Sequence, residues 1–227
     1  MYSRLWVIFI KNQISNGTKT DIAFMTQKNL AENIIHIYQK HGRAWTDLRG
    51  TFLYEKVWLD RFLQLLPTSA QVLDLGCGSG RTIAAYLMSQ GCQLTGVDSS
   101  PVMIEMAQQQ FADHTWVMAD MRTFETQQKF QGILAWDSFF HLTPSDQRKM
   151  FAQFARYAET GTVLMFTSGP ESGEAIGDMF GDALYHASLS GHEYRSLLKQ
   201  YGFDVLQVVL EDPECAGHTV WLAQRKV

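Results

Sequence analysis

The stretch Val72-Leu73-Asp74-Leu75-Gly76-Cys77-Gly78-Ser79-Gly80 constrains the fold of this chain more than any other part of it. An apolar strand runs into glycines at alternate positions, and the pattern that follows turns helical near Arg81. Glycine lets the backbone adopt conformations closed to other residues and lets a ligand approach the main chain closely. A strand that enters such a loop and leaves it as a helix is the opening unit of a parallel α/β sheet, with the loop at the carboxyl edge where such sheets bind ligands.

The pattern downstream repeats that unit. After the strand Gln71 to Leu75 come a helix from Arg81 to Gln90, a strand from Gln93 to Val97, a helix opened by Ser100 and Pro101, and a strand from Thr115 to Ala119. Ile133 to Trp136 reads as a fourth strand, and Thr143 with Asp146 as the capped start of a helix running through Met150, Phe151, Phe154 and Tyr157. Thr162 to Phe166 is a fifth strand; Ser190 with Glu193 caps a last helix that stops at Gly202. The final strands, Phe203 to Leu210 and His218 to Ala223, are joined too briefly for a helical crossover and are expected to pair antiparallel. The predicted fold is α/β: a Rossmann-like, seven-stranded, mostly parallel sheet with a terminal antiparallel pair and helices on both faces.

Upstream, Gln27 to Leu66 carries helical stripes (Leu30, Ile34, Ile37, Tyr38, then Leu59, Phe62, Leu63, Leu66) and ends at Pro67. Three regions are therefore expected: a loosely attached extension over 1–25, a helical cap over 26–67, and a ligand-binding core over 68–227 with a flexible lid at about 169–190 around Gly169-Pro170-Glu171-Ser172-Gly173.

Composition narrows the partners. With 46% hydrophobic residues in a chain of 227, a full core is available without staples, and a net charge of −4 without a basic stripe argues against nucleic acid. The apolar patch from Leu5 to Ile10 is too short to span a membrane and lacks a cleavage site, and Cys77, Cys92 and Cys215 are an odd set without paired spacing. A cytoplasmic protein with free thiols and no membrane partner is the expectation. His36, His41, His114, His192 and His218 have no ligand spacing among themselves or with the cysteines, so no metal is assigned.

The chemistry lies in acids at strand ends. Asp74 precedes the glycines, Asp98 ends the second strand, and Asp120 follows the third in Met118-Ala119-Asp120-Met121-Arg122. A dinucleotide-binding fingerprint would carry a third glycine or alanine where this chain has Arg81. The set Asp74, Gly76, Gly78, Gly80 resembles instead motif I of class I S-adenosylmethionine-dependent methyltransferases. The likeness runs from about Tyr38 to the C-terminus and extends to a bacterial group of small methyltransferases without a clear substrate assignment.

That resemblance implies S-adenosylmethionine as cofactor and S-adenosylhomocysteine as product. It puts the methionine end in the loop Gly76, Cys77, Gly78, Ser79 and Gly80, the ribose at Asp98 beside Ser99 and Met103, and the adenine at Asp120, Met121 and Arg122. Tyr38, Trp45 and Arg49 would lie over the cofactor, Arg49 pairing with its carboxylate, and Trp136 would close the acceptor side. Of groups near the acceptor, His141 is the first candidate base and Asp137 the second, with Tyr185 and His186 as substrate or lid residues. Methyltransferases of exocyclic amines often carry Asn/Asp-Pro-Pro-Tyr/Phe after the fourth strand; this chain reads Trp136-Asp137-Ser138-Phe139, which points to a small-molecule acceptor.

Plainer roles compete for each residue. Asp98 can cap the helix after Ser100, Asp120 can be a turn residue, Tyr38 and Trp45 can be core, and His141 and His186 can be packing or surface histidines. Two other functions stay open on sequence: a nicotinamide-dependent oxidoreductase on a similar sheet, and a noncatalytic cofactor-binding module. Oligomeric state is not legible.

Overall fold

The computed structural model describes residues 27–226, so the expected extension over 1–25 lies outside the described residues. Helix α1 (Gln27–Arg49) and α2 (Lys56–Gln64) precede β1 (Gln71–Leu75). Then follow α3 (Ile83–Ser89), β2 (Gln93–Asp98), α4 (Pro101–Gln110), β3 (Thr115–Met118), β4 (Phe130–Ala135), a 3-10 turn (Phe139–His141), α5 (Pro144–Tyr157) and β5 (Ala158–Ser168). The chain ends in β6 (Gly173–Met179), β7 (Asp182–Ser188), α6 (Gly191–Gln200), β8 (Phe203–Asp212), a second 3-10 turn (Pro213–Cys215) and β9 (His218–Arg225).

Seven strands form one sheet in the order β3-β2-β1-β4-β5-β9-β8. The pairs β1–β2, β1–β4, β2–β3 and β4–β5 are parallel, whereas β9 runs antiparallel to both β5 and β8. The strand order reverses between β1 and β4, where an open sheet of this kind leaves a crevice at its carboxyl edge.

Alternation along the strands builds two cores. Leu73, Leu75, Ile133, Ala135, Leu164, Phe166, Trp221 and Ala223 face α5 and α6, while Val72, Leu134, Val163, Met165, Val220 and Leu222 face α2, α3 and α4. The caps read from sequence are present: Ser100 accepts from Met103 N, Thr143 from Asp146 N and Ser190 from Glu193 N. Helix α2 buries Trp58, Leu59 and Phe62 fully against the sheet, so it belongs to the core layer. No described helix is long and apolar enough to cross a membrane.

The region expected as a flexible lid is a regular element. β6 and β7 form a separate antiparallel hairpin, and Met179, Leu184, Tyr185 and Ala187 pack against Leu30, Ala31, Ile34 and Ile37 of α1 in a third buried cluster. Glycines at 173, 177 and 181 and several polar residues obscured the alternation that would have marked two strands.

Candidate active site

Four carboxylates stand in a row along the sheet's carboxyl edge. Asp120 follows β3, Asp98 ends β2, Asp74 sits in β1 one residue from its end, and Asp137 follows β4, so the row crosses four adjacent strands and the reversal of strand order. All four line one cavity, together with Tyr38, Trp45 and Arg49 of α1, the loop from Gly76 to Gly80, and Ser99, Met103, Met121, Arg122, Trp136 and His141. The cofactor-side residues expected from sequence, scattered widely along the chain, are thus brought together.

The glycine loop shows why its residues are what they are. Gly76 has φ +79°, and a Cβ there would lie 2.2 Å from the Cβ of Ser138, whose hydroxyl donates to the Leu75 carbonyl at 2.6 Å. Any side chain would push the turn after β4 off the loop. At Gly78, with φ +55°, a Cβ would meet nothing within 4 Å, so the backbone is bare on the open side. Its N–H donates to Asp98 Oδ2 at 2.9 Å, and Ser100 N donates to Oδ1 at 2.8 Å. Asp98 therefore ties the loop to the start of α4; a carboxylate has about four lone-pair sites, which leaves capacity for a ligand hydroxyl.

Charge in the cavity is unbalanced. Five carboxylates, of Glu55, Asp74, Asp98, Asp120 and Asp137, face three guanidiniums, of Arg49, Arg81 and Arg122. Arg122 is engaged by Asp120 and reaches Asp146, Arg49 pairs with Glu55, and Arg81 points to Asp47. Asp74 has no such cation among the described residues: burial, then the neighbouring Asp98 charge, pushes its carboxyl up to about 7. Burial also pushes Asp98 up, against the pull of its backbone donors. A cationic ligand would relieve both.

Arg49 does not stand ready for a ligand carboxylate alone. Its guanidinium is held by Glu55, donates to the Phe52 carbonyl at 2.7 Å and lies 4.3 Å over the Tyr54 ring. Glu55 Oε2 and Trp136 Nε1 are buried polar atoms without a hydrogen-bond partner, both in residues that line the cavity. A deficit of about 1–3 kcal/mol attaches to each such atom and is the kind that ligand binding offsets. The bare loop, the surplus of carboxylates and these two atoms fit a ligand bearing both positive charge and hydrogen-bonding groups.

Near the end of β4 the two candidate bases differ sharply. His141 is buried, with Nδ1 2.8 Å from the Tyr185 carbonyl and Nε2 3.1 Å from the Tyr38 hydroxyl. A carbonyl only accepts, so Nδ1 carries the proton and Nε2 accepts from Tyr38. Burial depresses this histidine to about 4, which leaves it neutral and weakly basic. Asp137 has φ +48°, rare for a residue with a side chain, and its N–H donates to Thr167 Oγ1 at 2.9 Å. Its Oδ1 lies 2.9 Å from His218 Nε2, and Tyr54 donates to Oδ2 at 3.4 Å.

Tyr185 and His186, expected to face a substrate, do not line the cavity. Both sit in β7 behind it: the Tyr185 carbonyl orients His141, and the His186 ring packs against His141 and Phe140. Pairing of β7 with β6 and packing on α1 fix them there. Sequence reasoning missed Glu55 and Ser138, as well as Ala31, Ile34, Ile35 and Leu142, which give the cavity an apolar wall, and the contact that His218 makes with Asp137 from outside the cavity. A helical stripe identified the α1 face, but nothing in the sequence separates its cavity-facing residues from those packed on β7.

Comparison with known proteins gives likenesses of two kinds, in sequence and in structure. The family model described as a methyltransferase domain matches residues 53–208. An O-methyltransferase of Pyrenophora dematioidea is 24% identical over 229 aligned positions, covering 87% of this chain and 80% of that protein. Among solved structures, magnesium protoporphyrin IX methyltransferase of Synechocystis, crystallised with S-adenosylhomocysteine, superposes with a TM-score of 0.68 at 17% identity, over 87% of this chain and all (100%) of that one. The 1,6-didemethyltoxoflavin-N1-methyltransferase of Burkholderia thailandensis gives a TM-score of 0.65 at 19% identity, over 95% of this chain and 94% of its own.

Proposed function

This chain belongs to the methyltransferase-domain family and transfers a methyl group from S-adenosylmethionine; on that premise we propose how its residues divide the work and what kind of molecule it methylates. The observation that carries the reading is the row of carboxylates over the bare glycine loop at the point where strand order reverses. Asp120, with Met121 beside it, serves the adenine, Asp98 the ribose hydroxyls, and the loop from Gly76 to Gly80 with Asp74 the methionine end. Arg49 and Glu55 act as a joint clamp for a group carrying both charges, the guanidinium taking a carboxylate and the free Glu55 oxygen an ammonium.

When bound, S-adenosylmethionine supplies a methyl group on a positively charged sulfur, already activated for displacement. The protein then has three tasks: to favour positive charge in the cavity, to exclude water and to hold an acceptor in line. The carboxylate surplus serves the first. It also helps release of the product, which has lost that charge. Trp136, only 4% exposed, walls the β4 end against solvent.

The acceptor we propose is a small molecule with an apolar or ring-bearing body, received against Ala31, Ile34, Ile35 and Leu142. The relatives' names, an O-methyltransferase and enzymes of magnesium protoporphyrin IX and 1,6-didemethyltoxoflavin, agree with an acceptor of that scale. His141 is better suited to fixing Tyr38 than to removing a proton, because burial has taken its basicity and Tyr38 its lone pair. Its removal should cost organisation more than it shifts a pH profile.

Calorimetric titration of ligand-free protein with S-adenosylhomocysteine and with NADH tests the reading. Saturable binding of the first only, weakened in Asp98→Ala, is expected. Binding of NADH in its place would turn the cavity into a nicotinamide site.

A further inference from the structure

One buried pair of opposite charge is not accounted for by cofactor binding. His218 opens β9, far along the chain from the glycine loop, is 3% exposed and does not line the cavity. Its Nδ1 lies 2.7 Å from the Cys215 carbonyl, which can only accept, so that nitrogen carries a proton. Its Nε2 lies 2.9 Å from Asp137 Oδ1, where a bare nitrogen lone pair would face a carboxylate lone pair. An ionised Asp137 at that distance calls for a proton on Nε2 as well, which makes the ring an imidazolium. The Tyr54 ring stacks on it at 5.4 Å and the Trp136 ring lies at 5.6 Å on a tilted plane, contacts that suit a cation.

The pair is built with several supports. Burial disfavours charge on His218, but Asp137 outweighs it and raises the imidazole above its ordinary value. Burial likewise pushes Asp137 up, and His218, with Arg49 behind it, overrides this and holds the carboxyl below the usual range. The other titratable groups around the pair are Tyr38 and Arg49 of α1, Tyr54 and Glu55 before α2, His141 after β4, His186 in β7, Asp212 at the end of β8 and Cys215 in the β8–β9 connection. Asp137 accepts this company at the expense of a left-handed backbone, a strain that persists when surrounding contacts over-determine it.

We propose that His218 is a positioning residue for methyl transfer: as an imidazolium it fixes Asp137 as an ionised carboxylate at the β4 end of the cavity, where Asp137 receives the hydrogen of an N–H or O–H acceptor. The inference rests on the methyl-transfer reading, since it takes the row Asp120, Asp98, Asp74 to run from adenine to sulfonium and Asp137, next in the row, to lie beyond the methyl group. It selects amines and hydroxyls over acceptors with no hydrogen to donate. Held low in pKa, Asp137 is a weak base. Its work is to orient the nucleophile and to stabilise positive charge developing on it, with the proton passing to solvent after the methyl group has moved.

Two measurements test this. Nitrogen NMR of histidine-labelled wild-type protein reads the protonation of His218 directly; imidazolium at both nitrogens from pH 6 to 8 is expected, and a neutral ring there overturns the proposal without any variant. Calorimetry then compares S-adenosylhomocysteine with sinefungin, which carries an ammonium where the methyl-bearing sulfonium would be. The ratio of the two affinities should favour sinefungin in wild type and fall about tenfold in both Asp137→Asn and His218→Gln, the scale of a charge-assisted hydrogen bond. A purely structural role for His218 would weaken both ligands together and leave the ratio unmoved. An unmoved ratio in both variants, or a fall in Asp137→Asn alone, overturns the role of His218. Failure of wild type to bind either ligand would instead refute the methyl-transfer reading, while the NMR measurement still tests the ion pair.

Discussion

Asp74 shows how a single side chain ties stability to binding. Its carboxyl is pushed up to about 7 by burial and by Asp98, with no cation among the described residues against it. A raised carboxyl contributes stability that is fully present below its unfolded value, near 4, and is lost as pH rises through about 7. A rise of that size corresponds to about 4 kcal/mol, so the ligand-free protein should lose melting temperature from pH 5 to 8, and Asp74→Asn should flatten that slope. Binding of a cationic cofactor runs the opposite way. Affinity for S-adenosylmethionine should rise about tenfold from pH 6 to 8 as Asp74 ionises, and calorimetry on Asp74→Asn should show weaker binding without that rise. The sequence showed that Asp74 precedes three glycines; that it lacks a counter-ion was visible only once Arg49, Arg81 and Arg122 were seen committed to other acids.

Elements were legible where periodicity was strong and illegible where it was broken. β1, β2 and the capped helices α4, α5 and α6 lie within a residue or two of their expected bounds, because alternation, Pro at the first helical turn and Ser or Thr caps are local signals. The hairpin β6–β7 escapes a local reading, since glycines and polar residues on its outer face hide a strand pattern that only packing on α1 completes. From that packing, α1 and the hairpin form one cooperative unit. Leu184→Asp, which puts a charge into their shared cluster, should speed amide exchange of 30–41 and 173–188 together while leaving β1 and β4 protected. Faster exchange confined to the hairpin would show that α1 is held independently, through its contacts with α4.

For the molecule as a whole, the cavity joins helix α1, the loop before α2 and the ends of four strands, so a ligand there should stabilise the entire described fold. S-adenosylhomocysteine at about a hundred times its dissociation constant adds about 2.7 kcal/mol, which for a chain of this size raises the melting temperature by roughly 5–10 °C. Differential scanning fluorimetry checks this, and no shift at a concentration that saturates calorimetric binding would mean that the unfolded chain binds as well. The sequence by itself determined the sheet, its alternation of strands and helices, and the glycine loop with its row of acids, because these follow from local periodicity and from backbone demands that few residues meet. Tertiary structure alone decided how the charges pair. His218 meets Asp137 through folding that joins the end of β4 to the C-terminal hairpin. Spacing along a chain carries no record of such meetings, since side-chain pairing between distant elements depends on register, burial and the desolvation that each buried charge must offset.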